Sequence, residues 1–264
     1  MNLRRIKKTI YKYWAEYNSE YFTIPQINDI ELVNIGSWGD FDSEKTFDGQ
    51  YILKVDPELF DQNDSFIKQI LYHEFTHMYD STIFHGYDKS SFKNIMQIYS
   101  EVHASEIQMD ILLSTQNVPY SLDKRVTHRG ELTLRSYMDQ TLKHVIDEFI
   151  PPSEKITQNN LKFDSKELYY FIGNLLSLKK NGIQYNFEYT NIPSEFISIF
   201  ENITDYFLNN TEYNYELLLN LQKDLSNTTG DYIVAHNNSI AEHFLENADI
   251  DDILQALLQN HQNG

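Results

Sequence analysis

Cysteine is absent from the 264 residues, which excludes disulfides, thiolate metal ligands and a cysteine nucleophile together. Long apolar runs are missing too. No window approaches the eighteen or so consecutive apolar residues of a membrane span. The basic start (Arg4, Arg5, Lys7, Lys8, Lys12) runs into Tyr, Trp and Glu rather than into the apolar core of a secretory signal. A cytoplasmic protein is the expectation. Positive charge is scarce: 21 Lys and Arg stand against 39 Asp and Glu, a net charge of −18 with the acidic excess in both halves. Such a field repels phosphate backbones at long range, so nucleic acid is not an expected partner. No repeat of fixed period is present.

Against those absences stands one pattern with definite chemistry, His73-Glu74-Phe75-Thr76-His77. On a helix, His73 and His77 are four residues apart, so their imidazoles leave one face a turn apart and can meet a single cation. Neutral imidazoles suit zinc, and a site with three protein ligands leaves a position for water. Glu74 falls beside that position, where it can accept the proton of a metal-activated water. The flanking stripe Ile67, Leu71, Phe75 and Met78 recurs at three- and four-residue spacing beside the histidine face. One face packs while its neighbour presents ligands.

The third ligand is expected on the next helix, over about 91–115, where two glutamates compete. Glu106 falls in the apolar stripe Ile95, Tyr99, Val102, Met109, Leu113, where a buried carboxylate needs a partner or a metal. Glu101 lies on the adjacent face, and the small Ala104 and Ser105 after it permit close approach to the first helix. Spacing alone does not choose between them.

With these residues in place the chain resembles the HExxH zincin metallopeptidases, specifically those with a glutamate third ligand. The metzincin pattern does not fit, because its glycine and histidine positions hold Asp80 and Ile83. Glu101-Val-His-Ala104 looks like the E-x-x-A start of a ligand helix, and residues 100–113 are similar to that helix in the ImmA/IrrE-type peptidases. Glu106 with Asp110 instead matches the E-x-x-x-D spacing of thermolysin-like enzymes. The resemblance, which covers about residues 1–118, favours Glu101 as ligand with Glu106 as the alternative. It implies one Zn²⁺ per chain and a protein or peptide substrate. The position four after Glu101 is Ser105, so support for a ligand histidine is expected from Ser105, Asp80, Glu106 or Asp110. Tyr99, His103, Tyr120, His128 and Arg129 are the candidates for a donor to the tetrahedral oxyanion.

The fold class that follows is α+β. A zincin-like part over 1–118, with a small sheet plus active-site and ligand helices, precedes a mostly helical part over 119–264. An amphipathic helix is expected over 3–18, strands over 30–35 and 50–55, and a helix from Ser65 capped by Asp64. The strand at 50–55 reads equally as an edge that could hold an extended peptide or as an internal strand. Helical patterns follow near 131–149, 165–180, 194–208, 212–225 and 249–259, with breaks at 151–155 and at Gly182. Most of Tyr169, Tyr170, Phe171, Phe196, Phe200, Tyr206, Phe207, Tyr213 and Tyr215 read as core by spacing, and His128, His144, His236 and His243 as satisfied or solvated. The expected activity is zinc-dependent hydrolysis of peptide bonds. The alternative is a regulatory or binding protein that keeps the same scaffold for recognition of a repressor or other partner.

Overall fold

In the computed structural model the described residues are 3–34, 36–41, 43–114, 122, 132–149, 166–187, 194–209, 214, 216–221, 223–225 and 227–228. They form a mostly helical α+β arrangement with one three-stranded mixed sheet. Tyr120, His128, Arg129, His236, His243, the break at 151–155 and the expected helix over 249–259 lie outside the described residues. No described helix is long and apolar enough to cross a membrane.

Helix α1 (Leu3–Glu20) buries Ile6, Ile10, Tyr13 and Tyr17 at the expected spacing, while Leu3 at its first position is exposed. Its tyrosines meet the next long helix, α3 (Asp64–Ile83), where the Tyr17 hydroxyl pairs with Thr76 Oγ1 at 3.0 Å. A buried phenol needs such a partner. Between these helices in sequence lie β1 (Asp29–Leu32), β2 (Gly39–Phe41), the short α2 (Ser43–Phe47) and β3 (Ile52–Val55). β3 is the middle strand, parallel to β1 and antiparallel to β2. The strand at 50–55 is therefore internal. The edges are β1 and β2, and β2 is three residues in a glycine-containing stretch too short to show alternation.

Asn63, one residue before the expected Asp64, caps α3 by accepting from Phe66 N–H at 2.9 Å. The second long helix begins as α4 (Lys89–Ile95), capped by Asp88, widens into a π-helical turn over Met96–Ser100, and continues as α5 (Glu101–Ser114). After it come α6 (Leu134–Phe149), α7 (Lys166–Lys180) and α8 (Ser194–Asn209). Gly182, at φ +70°, ends the α7 region where the sequence puts a stop.

Two apolar cores share α5 as a wall. Ile107 and Ile111 join α1, the sheet and α3 in one, whereas Val102, Met109, Leu112 and Leu113 join α4, α6, α7 and α8 in the other. A helix apolar on opposite faces has no single buried stripe. The crossing of α5 and α7 is close because α7 carries glycine there. A Cβ on Gly173 would stand 2.3 Å from the Val102 carbonyl oxygen and 2.6 Å from Ser105 Cβ. Ser105 thus faces α7, not the histidine helix as its small size suggests from sequence alone.

Candidate metal centre

The helical repeat of α3 puts the Nε2 atoms of His73 and His77 3.1 Å apart. From the first turn of α5, Glu101 Oε2 lies 3.5 Å from the first and 3.6 Å from the second. The three residues form a buried to half-buried cluster that could hold a metal ion. Glu106 is not part of it. Its carboxylate lies 3.5 Å from Lys180 Nζ, and burial raises its pKa.

The cluster's hydrogen bonds select the state that a cation requires. Ser100 donates its hydroxyl proton to Asp80 Oδ2 at 2.8 Å, so its oxygen is left to accept from His77 Nδ1, 2.7 Å away. With the proton on Nδ1, Nε2 keeps its lone pair toward the cluster. Burial, against the pull of Glu101, holds the His77 pKa down to about 3, so the ring is neutral near pH 7. Asp80 is fixed in turn by His103 Nδ1 at 2.8 Å. Burial disfavours the His103 cation, but Asp80 outweighs it and raises the pKa. Glu101 Oε2 is buried without a hydrogen-bond partner although it faces both Nε2 atoms. Such an orphaned acceptor among lone pairs is what a cation would satisfy. His73 Nδ1 also has no partner, so the two histidines are not equally supported.

Glu74 is 6 % exposed and lies against β2, where a Cβ on Gly39 would come within 2.9 Å of its Cγ and 3.1 Å of its Oε1. Only glycine lets the edge strand approach the carboxyl so closely. Burial, opposed by His73 and reinforced by Glu101, pushes the Glu74 pKa up to about 7. Glu101 moves the other way: burial acts to raise it, but His77, His73 and Lys166 outweigh burial and hold it at about 2. Lys166 Nζ, 3.6 Å from Oε1, adds a cation beside the ionised Glu101.

A cleft of about 310 Å³ opens over the cluster, with Trp38, Gly39, Asp40 and Phe41 on one side and Lys166 and Tyr170 of α7 on the other. The Tyr170 ring stands edge-on to His73 at 5.6 Å, with Lys166 Nζ 5.2 Å from its centroid. Burial pushes the phenol pKa far above its ordinary range, Glu101 and Glu74 adding to the effect, so the group is an O–H donor near pH 7.

Several expected roles fall elsewhere. Tyr99 packs its ring against Phe84 at 5.3 Å and His103 is bound to Asp80, and neither lines the cleft. Asp110 accepts from Lys180 at 2.6 Å and from Asn181 at 3.2 Å, which ties α5 to the far end of α7. Ser105 Oγ has no partner, and the support for His77 comes from Ser100. Ser100, Gly39, Lys166 and Tyr170 are the residues that sequence reasoning missed. Ser100 alone had a local signal, being one position before the expected ligand. No family model, curated protein or solved structure matches the chain.

Proposed function

We propose that this chain is a zinc-dependent peptidase of the glutamate-ligand zincin type, with Zn²⁺ held by His73, His77 and Glu101. The observation that carries the reading is the convergence of three lone-pair atoms at 3.1, 3.5 and 3.6 Å beside a buried carboxyl. Zinc bonds of about 2.0–2.1 Å at a tetrahedral angle put ligand atoms about 3.3–3.4 Å apart, so the spacing and the donor set fit that ion. When bound there, zinc supplies Lewis-acid polarisation of a carbonyl and a water of lowered pKa.

The chain's own residues supply the rest. Glu74, with a pKa near 7, is matched to taking a proton from the attacking water and handing it to the leaving amine. β2 pairs only with β3 among the described residues, so its outer edge can take an extended peptide across the cleft. Gly39 keeps that edge close to Glu74. Tyr170, a neutral donor on the opposite wall, serves the oxyanion that forms as the peptide carbonyl is attacked. A recognition scaffold has no need of a buried carboxyl at this place, which favours the enzyme over the binding protein.

Elemental analysis of the wild type with Glu101→Ala, Glu106→Ala and Glu74→Gln tests the reading. About one zinc per chain is expected in the wild type, Glu106→Ala and Glu74→Gln, with loss in Glu101→Ala. Cleavage of a denatured-protein substrate should disappear in Glu74→Gln. A wild type that takes up no zinc when supplied with it would overturn the proposal.

A further inference from the structure

The cleft does not end at the metal centre. Glu101, Ser105 and Gln108, spaced by four and three, share one face of α5. Beyond Glu101 this face walls a second cavity of about 270 Å³, closed by α6 and α7. Gln108 and Tyr170 line both cavities, so the two adjoin at these side chains.

Its chemistry is specific. Ser105 is 3 % exposed, lines the cavity and has a hydroxyl with no hydrogen-bond partner. A buried hydroxyl is rarely left unpaired, so an occupant that brings a polar group satisfies it and an apolar one does not. Around it stand the side chains of Asn174, Gln108, Gln140 and Thr141, all able to accept hydrogen bonds. Glu167, in the first turn of α7, contributes the cavity's carboxylate, and His144 is the one imidazole opposite. The neighbouring Lys166 is directed to the first cavity, where it meets Glu101. An acidic occupant would be repelled by Glu167. A long cation with several donors meets the carboxylate and the ring of acceptors together, and the guanidinium fork does so at more angles than an ammonium.

We propose that this second cavity is a specificity subsite that takes a long basic side chain, arginine above all, from a substrate residue beside the bond to be cut. The inference rests on the peptidase reading for the word substrate, but the subsite can be measured without turnover. Metal-loaded Glu74→Gln protein would be titrated calorimetrically with acetylated, amidated pentapeptides of alanine carrying Arg, Gln, Leu or Asp at the centre. The Arg peptide is expected to bind about tenfold or more tightly than the Gln peptide, as a charge-assisted hydrogen bond gives. Adding Glu167→Gln should bring that ratio to within about twofold with the metal content unchanged. Adding Gln140→Glu, an exposed position, should widen it. Equal binding of the Arg and Gln peptides, binding of none, or an Arg preference that survives Glu167→Gln would overturn the subsite. The two readings fail separately. Arg-selective binding with no cleavage by the wild type would sink the peptidase and keep the subsite, whereas cleavage indifferent to Arg would do the reverse.

Discussion

The α3 wall of the cleft carries its chemistry within five residues, His73 to His77, whereas the facing wall brings Lys166 and Tyr170 on a helix far along the chain. On the first wall, helical periodicity alone sets the geometry: two imidazoles four residues apart must share a face. On the second, nothing local sets it. Tyr170 reaches His73 only because Gly173, one turn further along α7, lies against the backbone of α5. The first wall tolerates changes in packing that the second does not, and the difference can be attacked from either side.

Gly173→Ala should have the largest effect. Its methyl group would meet a backbone carbonyl that has no rotamer to give way, which costs about 3 kcal/mol or more. For a domain of this size that is a fall in Tm of about 6–12 °C. An unchanged Tm by calorimetry would show that α5 and α7 do not meet at this glycine.

The α3 wall is sharpened by pH. Glu74 has its pKa raised to about 7 from an ordinary 4.5. Between those values the folded chain binds more protons than the unfolded one, so the contribution of Glu74 to stability is full below about pH 4.5 and falls as pH rises through about 7. Urea unfolding of the metal-free wild type and Glu74→Gln at several pH values should show the wild type losing stability relative to the variant across that window. A difference that grew in the opposite direction would mean that Glu74 is not buried against β2.

Tyr170→Phe removes a donor and keeps the ring. Turnover should fall by about 10²-fold, as for loss of an oxyanion donor, with KM and zinc content little changed. Equal turnover would return the α7 wall to a packing role. Ser100→Ala should be the mildest: His77 loses the partner that fixes its tautomer, and zinc affinity should weaken by about 10–100-fold in a chelator competition. An unaltered affinity would show that the ring is held by packing rather than by its hydrogen bond.

Much of the α3 side could be read directly. Ile67, Leu71, Phe75 and Met78 are buried at the expected spacing, and α1 presents Ile6, Ile10, Tyr13 and Tyr17 as its periodicity requires. Glu101 rather than Glu106 meets the histidines, and the π-helical turn before it offers a reason. Consecutive residues Ser100 and Glu101 both face α3, one on Nδ1 of His77 and the other near its Nε2. A wide turn displaces the faces that a regular 3.6-residue count assigns, which is why spacing left two glutamates open. β2 escaped notice because three residues around Gly39 carry no alternation. Tyr170 falls among aromatics that mostly read as core, because a tyrosine at an apolar spacing looks the same whether it closes a core or a cleft.

By itself, then, the sequence determined the α3 imidazole pair, the carboxyl between them, the helical frame around them and the exclusion of every cysteine chemistry. Each of these depends on residue type and on separations of a few positions along one helix. Tertiary structure decided which glutamate joins the pair, which strand lies against Glu74 and which aromatic of α7 lines the cleft. Those outcomes depend on how closely separate elements approach, β2 to α3 and α7 to α5, and here those distances are set by single side chains that are missing, at Gly39 and Gly173.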